Sequence, residues 1–283
     1  MAQRPSFPAR IDLTSGKPTL AKASAPAPQI FAPIKIAAPA TSTRAKGLND
    51  LKTDLSLPLG PSADSVALRA RLVALLTAQG VSNPQVLAAM GTVQRHTFVD
   101  TALQAQAYED TSLPIGLSQT ISKPGVVARM LELLMAAPCF LNASPGKKAP
   151  GRVLEIGTGC GYQAAVLSLL LTEIYSMERL RGLHDKARNL LRPHRLANVH
   201  LLLGDGMLGY PKGAPYAGII AAAGGEAIPQ AWCDQLAVGG RIVAPVASTG
   251  GTQALTVIDR TVHGFTHTLL EPVLFVPLKS GIA

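Results

Sequence analysis

The sequence predicts an α/β fold: a doubly wound, mostly parallel sheet with helices on both faces and a small helical addition on its N-terminal side. From Arg152 onward, short apolar segments alternate with segments of helical periodicity, the pattern of parallel strands joined by crossover helices. A glycine-rich turn over residues 157–161 links the first of these strands to the first helix. The last strands follow one another without helices, so we expect the far edge of the sheet to be antiparallel.

The first 60 residues differ in composition from the rest of the chain. They hold eight prolines and eleven alanines, with eight Lys or Arg against three Asp, and show no helical or strand periodicity. The segment has few large apolar residues, and these cannot bury enough surface to offset the loss of conformational entropy on folding. We therefore predict a disordered basic leader over residues 1–60. A targeting peptide is the functional alternative, although no apolar stretch of the secretory type follows the early basic residues. Residues 61–283 then form the folded domain.

The helical addition is predicted within residues 61–150. Apolar residues at helical spacing over Ser65–Gln79 end at a glycine, which favours a helix that stops there. Asn83 is suited to cap a second helix that reaches about Met90, because a proline follows it directly. Tyr108–Thr120 is dense in Pro, Gly, Ser and Asp and is predicted as a loop. A third helix is expected to begin near Pro124.

The core, residues 151–283, is predicted from short buried runs and the helical segments between them. The predicted strands are Val153–Ile156, Ile174–Met177, Val199–Leu203, Ile219–Ala223, Gly240–Pro245, Ala254–Asp259 and Leu269–Val276. The predicted helices are Tyr162–Leu171, Leu180–Leu191 and Pro229–Leu236. In such a sheet, ligands bind beyond the carboxyl ends of the strands, so residues at those ends are the candidate site.

The glycine-rich turn favours a cationic nucleoside ligand over a dinucleotide. Gly157, Gly159 and Gly161 have GxGxG spacing, whereas the dinucleotide turn reads GxGxxG and would need a glycine at Tyr162. Glycines let a ligand approach the backbone closely. Glu155 stands at the strand end just before the turn, and a carboxylate there suits the ammonium and sulfonium of S-adenosylmethionine, which has no pyrophosphate.

Acidic residues also follow the next two predicted strands. Glu178 lies 21 residues after Gly157, where an acid commonly holds the ribose hydroxyls of a nucleotide. Asp205 and Gly206 follow the Val199–Leu203 strand, and the Asp could accept a hydrogen bond from the exocyclic amine of adenine. A single glycine turn is weak evidence. Three such features at successive strand ends predict an S-adenosylmethionine site.

A resemblance to one family runs from about Val66 to Leu278. The segments that carry it are Arg95–Val99, Tyr108–Asp110, Leu113–Gly116, Gln119–Ser122, Val153–Leu167, Gly204–Gly206, Ala214–Tyr216, Ile228–Ala231, Gln235–Leu236, Val238–Arg241 and Phe275–Leu278. Together they resemble the protein-L-isoaspartate O-methyltransferases, which repair damaged aspartate and asparagine. The most specific is the stretch LPIGxxQTIS, which generic methyltransferases lack. The resemblance implies a Rossmann-like class I methyltransferase sheet.

The resemblance also implies the reaction and the residues that carry it. The methyl group of S-adenosylmethionine would pass to the α-carboxyl of an L-isoaspartyl residue in a peptide or protein, and the ester would then close to a succinimide. Ser122 matches the family's active-site serine and would orient the carboxylate; the alternative is a cap for the helix near Pro124. Thr120 and Ile121 would belong to the substrate loop. Asp110 is expected to organise the loop, and His96 to be structural.

Several positions depart from the family pattern. Ser118 and Lys123 replace the usual Gly and Gln, Ala217-Gly218 lacks the usual Asp, and Ala222–Glu226 replaces a Thr-Ala-Ala-Pro-like run. Two alternatives therefore stay open. The chain could methylate another target, such as a small molecule or an RNA base, although the fourth core strand has no NPPY-like tetrapeptide. It could also be a degenerate module that binds the cofactor with little turnover.

Composition argues against other classes of protein. The leader carries more than half of the formal net charge of +9, so the domain lacks the strong positive field of a dedicated nucleic-acid-binding protein. Cys139, Cys160 and Cys233 are far apart and form no zinc-ligand spacing, so we expect no metal and a reducing, cytoplasmic location. No apolar run reaches the roughly 18 residues of a membrane span. The expected partners are isoaspartyl peptides and proteins, and a monomer is the default expectation.

Overall fold

The computed structural model describes residues 64–141, 146–248 and 251–283. The leader over residues 1–60 lies outside the described residues, so its disorder and the domain boundary after it stay predictions. The described α-helices are Asp64–Ala78 (α1), Pro84–Thr92 (α2), Pro124–Met135 (α3), Tyr162–Leu170 (α4), Arg181–Leu191 (α5) and Gln230–Gln235 (α6). The described strands are Leu113–Gly116 (β1), Gln119–Ile121 (β2), Ala149–Ile156 (β3), Leu171–Glu178 (β4), Val199–Leu203 (β5), Tyr216–Ala221 (β6), Leu236–Ala247 (β7), Gln253–Thr261 (β8) and Gly264–Val273 (β9).

The main sheet has the predicted doubly wound topology. Its strand order is β5-β4-β3-β6-β7-β8-β9, with parallel pairing from β5 to β7 and antiparallel pairing of β8 and β9. The chain runs outward from β3 through β4 to β5, then returns to β6 on the other side of β3. The strand order therefore reverses between β3 and β6, and a ligand crevice is expected at their carboxyl ends.

The centre of the sheet is buried on both faces, as the apolar runs of a parallel sheet require. Val153 and Ile220 face one layer of the core, beneath α3 and α4. Leu154 and Ile219 face the other layer, where they pack with Trp232 of α6. All four strand residues are fully buried. This two-sided packing fixes the carboxyl ends of the central strands as a rigid platform.

The helical addition is confirmed, with one correction in the segment predicted as a loop. Asn83 caps α2 as predicted, since its Oδ1 accepts hydrogen bonds from the backbone N–H groups of Gln85 and Val86. The prediction of a continuous loop over Tyr108–Thr120 is wrong, because β1 and β2 pair as an antiparallel hairpin within it. The two turn residues, Leu117 and Ser118, have positive φ values, a conformation that Asn and Gly adopt far more readily.

The predicted core strands are confirmed in order but are mostly longer than predicted. β3 begins at Ala149 because Ala149 pairs with Leu171 at the start of β4. β7 extends beyond Gly240–Pro245 at both ends, and β9 begins five residues before the predicted strand. Strand ends depend on partners far away in the sequence, which local periodicity does not report.

Candidate active site

A cavity of about 300 Å³ lies at the carboxyl ends of β3, β4 and β6. This volume is at the lower end of the range for small-molecule sites, about 300–1,000 Å³. Its walls include the glycine turn over Gly157–Cys160, the end of β4 with Glu178–Leu180, and Thr120–Ser122 of the hairpin segment. Ala222–Ala223 and Val276–Lys279 complete it. The crevice expected from the strand order is therefore present.

The glycine turn has the backbone conformation that the sequence predicts. Gly157, Gly159 and Gly161 have φ values of +89°, +58° and +90°. Gly157 and Gly159 line the cavity, whereas Gly161 does not and instead precedes the first residue of α4. A Cβ at Gly161 would lie 2.8 Å from the side chain of Leu191, so the position requires glycine for both its φ and its packing.

Glu178 connects the glycine turn to the start of α5 and lines the cavity. Its Oε2 accepts a hydrogen bond from the Gly159 N–H at 2.9 Å. Its Oε1 accepts from the N–H groups of Arg179 and Leu180, at 2.9 and 3.0 Å. A carboxylate can accept about four hydrogen bonds, so acceptor capacity remains for a ligand hydroxyl.

The structure does not bring Glu155 to the cavity. Its side chain is fully buried beneath the turn, where the Ser176 hydroxyl of β4 donates to Oε2. Ser176 Oγ also lies 2.7 Å from Thr158 Oγ1. Burial raises the pKa of Glu155 to about 8, so the carboxyl is mostly neutral at pH 7. The direct contact of Glu155 with a cationic ligand stays a prediction that this placement does not support, because the strand register sets Glu155 opposite Ser176 in the buried part of the sheet.

Asp205 and Gly206 follow the end of β5 and have different roles. Gly206 lines the cavity, whereas Asp205 does not. Asp205 Oδ1 accepts from the Met207 N–H at 2.9 Å, and Oδ2 accepts from the Gly281 N–H at 2.7 Å. The carboxylate therefore fixes its own turn and the segment near residue 281. The contact of Asp205 with adenine stays a prediction.

Ser122 contributes to the walls of two openings. It lines the cofactor-sized cavity together with Thr120 and Ile121, and it also lines a second, open groove between α3 and the β8–β9 edge. Its carbonyl accepts a hydrogen bond from Arg95 Nη2 at 2.8 Å. Its hydroxyl has no hydrogen-bond partner among the described residues. Lys123 occupies the cap position of α3, so the alternative role of Ser122 as a helix cap is not observed.

Comparisons with known proteins agree with this geometry. The model of the protein-L-isoaspartate(D-aspartate) O-methyltransferase family matches residues 67–283. A protein-L-isoaspartate O-methyltransferase from Methylibium petroleiphilum is 51% identical over 280 residues, which are 98% of this chain and 96% of that protein. The chain belongs to the protein-L-isoaspartate(D-aspartate) O-methyltransferase family.

Solved structures support the fold of this family member. One protein-L-isoaspartate O-methyltransferase aligns with a TM-score of 0.66 and 25% identity, over 76% of this chain and 67% of its own. A second, from Plasmodium falciparum and in complex with S-adenosyl-L-homocysteine, aligns with a TM-score of 0.64 and 21% identity, over 75% of this chain and 98% of its own. The predicted class I methyltransferase fold is therefore confirmed.

The structure explains the departure from the family pattern at Ala222–Glu226. Within this run, Gly224 pairs with the chain near Pro277: its N–H donates to the Val276 carbonyl at 2.9 Å, and its carbonyl accepts from the Leu278 N–H at 2.8 Å. A Cβ at Gly224 would clash with the Gln253 side chain, which bonds the Phe275 backbone. Ala222 and Ala223 line the cavity, so the first part of the altered run belongs to the wall of the site.

Sequence reasoning missed three parts of the site. Gln163 lines the cavity, is only 8% exposed, and interacts through its side chain with the buried Glu155 carboxyl. Val276–Leu278, like Gln163 and Arg95, entered the sequence analysis only within the segments that carry the resemblance, without a role of its own. Arg95 is fully buried behind Ser122. The expected organising role of Asp110 agrees with its contacts, since Oδ1 accepts from the Gly125 N–H at 2.7 Å. None of these contacts has a local sequence signal, because each joins distant segments.

The absence of a metal cluster and of a membrane-spanning helix is stated here only for the residues that the structure describes. No group of three or more His, Cys, Asp or Glu among them could hold a metal ion. None of the described helices is long and apolar enough to cross a membrane. Cys139, Cys160 and Cys233 are free thiols, and burial raises the pKa of Cys160 to about 11, so this thiol is neutral at pH 7.

Proposed function

We propose that this chain transfers the methyl group of S-adenosylmethionine to the α-carboxyl of L-isoaspartyl residues in proteins and peptides, with Ser122 orienting the carboxylate. The observation that carries the proposal is the position of Ser122, which lines both the cavity and the groove. A methyl donor in the first and a peptide in the second would meet at its free hydroxyl. The close relative from Methylibium petroleiphilum bears the name of this activity.

The cavity fits S-adenosylmethionine by the chemistry of its walls. Gly157, Gly159 and Gly206 let the ligand lie against backbone, and Glu178 has acceptor capacity for ribose hydroxyls. Gln163 also lines the cavity, where its side chain interacts with the buried carboxyl of Glu155. The Plasmodium falciparum relative holds the demethylated product, S-adenosyl-L-homocysteine. When bound, the cofactor supplies a methyl group activated by the positive sulfonium.

The lining of the cavity favours a carboxylate as the methyl acceptor. An α-carboxyl has a free pKa of about 3.5, so it is ionised at pH 7 and needs no general base. The described lining contains no histidine, and its one carboxylate, Glu178, already accepts three backbone hydrogen bonds. The described lining thus offers no histidine or free carboxylate as the general base that a hydroxyl acceptor would need. The protein then has to align the reactants and exclude water.

The open groove suits a peptide more than a compact metabolite. It has a volume of about 960 Å³ and runs from Ser122 and Lys123 past Arg129 to the β9 residues near Glu271. Arg129 is already paired with Glu271, its Nε lying 3.0 Å from Oε1, so the far wall carries little uncompensated charge. A groove of this kind could hold the backbone of varied sequences on either side of the damaged residue. Thr120 and Ile121 line the cavity beside Ser122 and would contact the substrate at the cofactor end.

Paired peptides test the proposal. The purified protein is incubated with labelled S-adenosylmethionine and either an L-isoaspartyl peptide or the same peptide with L-aspartate. Base-labile label on the first peptide alone is the expected result. Label on neither peptide, with cofactor binding seen by calorimetry, would instead indicate the degenerate module. Equal label on both would indicate a different acceptor.

A Ser122→Ala variant tests the assigned role. Turnover of the isoaspartyl peptide should fall by about tenfold or more, while the cofactor dissociation constant changes by less than about threefold. Thr172→Ala is the matched control, because it removes a hydroxyl at the opposite end of the sheet, where it donates to the Gly151 carbonyl. Equal losses of turnover and cofactor affinity in Ser122→Ala would argue for a structural role.

We further propose a cytosolic monomer that acts on protein and peptide substrates and does not require nucleic acid. The free thiols of Cys139, Cys160 and Cys233 fit a reducing compartment. The family match begins at residue 67, which supports a separate leader before residue 61. Sedimentation of the full chain, with and without an isoaspartyl peptide, checks the oligomeric state; a stable dimer would contradict it.

A further inference from the structure

Arg95 places a full positive charge inside the protein without a carboxylate partner. Its side chain is fully buried, and no carboxylate oxygen in the described part of the chain lies within 4.0 Å of its guanidinium. Asp110, a nearby acid, instead accepts from the Gly125 N–H and from Gln79 Nε2. An isolated buried charge is strongly destabilising, although arginine stays protonated in proteins. The presence of a buried cation without a carboxylate partner therefore calls for a functional explanation.

The contacts of Arg95 direct this charge toward Ser122. Its Nη2 donates to the Ser122 carbonyl at 2.8 Å, and its Nε donates to the Ala107 carbonyl at 2.8 Å. Its Nη1 has no hydrogen-bond partner among the described residues. The guanidinium carbon lies 4.8 Å from the centre of the Tyr162 ring, and Tyr162 also lines the cofactor cavity. The cation thus joins Ser122 to Tyr162, the first residue of α4; both of these residues line the cavity, whereas Arg95 lies behind them.

We propose that Arg95 is a positioning residue whose uncompensated charge selects the ionised isoaspartyl carboxylate at Ser122 and disfavours the neutral methyl ester. This inference rests on the proposed role of Ser122. A carboxylate oxygen attacks the sulfonium-bound methyl, the carbon–sulfur bond breaks, and its electron pair stays on the neutral thioether. The negative charge on the substrate is lost in this step. The Arg95 charge therefore binds the reactant more tightly than the product, which assists release of the ester.

The same reasoning fixes which kinetic constant depends on Arg95. Its charge stabilises the bound carboxylate at least as much as the transition state, in which the negative charge is already diminishing. Removal of the charge should therefore raise KM for the peptide and leave kcat nearly unchanged. A residue that only supports the fold would lower kcat, peptide affinity and cofactor affinity together.

Three variants separate the charge from the packing. Arg95→Met removes the charge, Arg95→Lys retains it, and Arg188→Met removes one exposed positive charge from α5 as the matched control. Arg95→Met should raise the peptide KM by about tenfold or more, with kcat and the cofactor dissociation constant within about threefold of the original chain. Arg95→Lys should keep the peptide KM close to that of the original chain. Arg188→Met should change neither the peptide KM nor kcat. If Arg95→Met does not fold, Arg95→Gln replaces it, measured below its melting temperature.

A neutral competitor provides a second readout. The α-carboxamide analogue of the isoaspartyl peptide should inhibit the original chain far more weakly than an ionised, unreactive carboxylate analogue. This preference should shrink by about tenfold in Arg95→Met and persist in Arg95→Lys. An unchanged preference, or a joint loss of kcat, peptide affinity and cofactor affinity in both variants, overturns the inference. If Ser122→Ala leaves turnover intact while Arg95→Met raises KM, the role of Ser122 fails and that of Arg95 stands.

Discussion

Replacement of Glu155 by Gln should make the protein more stable at alkaline pH, although Glu155 is an acidic residue buried beneath the glycine turn. Burial raises the pKa of Glu155 to about 8 from an ordinary 4.5. Between these values the folded protein holds a proton that the unfolded chain has released. The stability contributed by this proton is complete at low pH and is lost as pH rises through the folded pKa.

The size of the effect follows from the two pKa values. Linkage gives a fall of about 3 kcal/mol in the unfolding free energy from about pH 5.5 to about pH 8.5, an upper value for a single group. Glutamine has the same shape and stays neutral, and its oxygen can still accept from the Ser176 hydroxyl. The stability of Glu155→Gln relative to the original chain should therefore rise by about 3 kcal/mol between the lower and the higher pH.

Urea unfolding of both proteins at the two pH values measures this difference. Glu109→Gln is the matched control, because Glu109 is exposed and forms no ion pair within the described part of the chain. Its effect should stay within about 0.5 kcal/mol at both pH values. A difference between the original chain and Glu155→Gln that does not change with pH would refute the reasoning, since it would mean that Glu155 is ionised in the folded protein throughout.

Two further predictions concern the cofactor turn. Glu178→Ala removes the acceptor for three backbone N–H groups and should weaken S-adenosyl-L-homocysteine binding by about tenfold or more in calorimetry, with Glu178→Gln in between; unchanged affinity would contradict the ribose assignment. Gly161→Ala combines a positive φ with a contact of 2.8 Å to Leu191, so it should lower the unfolding free energy by about 2 kcal/mol or more in urea titrations; a loss below about 0.5 kcal/mol would show that the turn relaxes freely.

Much of the fold could be predicted from local patterns. The buried run before Gly157 and the apolar run of β6 are continuous because both faces of a central parallel strand are covered, and this shows directly in the sequence. Asn83 followed by proline determines the start of α2 for equally local reasons. The hairpin was missed because its turn, Leu117-Ser118, lacks the residues that favour positive φ.

The site itself was predicted in part. Residues whose backbone lines the crevice, such as Gly157 and Gly206, follow from position at a strand end. The direction of a side chain does not follow in the same way. Glu155 stands at the predicted strand end, yet its pairing with Ser176 turns the carboxyl into the interior, where it is mostly neutral.

By itself, the sequence determined the alternation of strands and helices, the glycine turn and the family, because each depends on residues close together in the chain or on a matching motif. Only the tertiary structure decided which groups meet. It placed Ser122 in the walls of both the cavity and the groove, buried Arg95 behind it, and closed the wall with Val276–Lys279. Those contacts depend on register and burial between segments far apart in sequence, and burial in turn decides which charges persist.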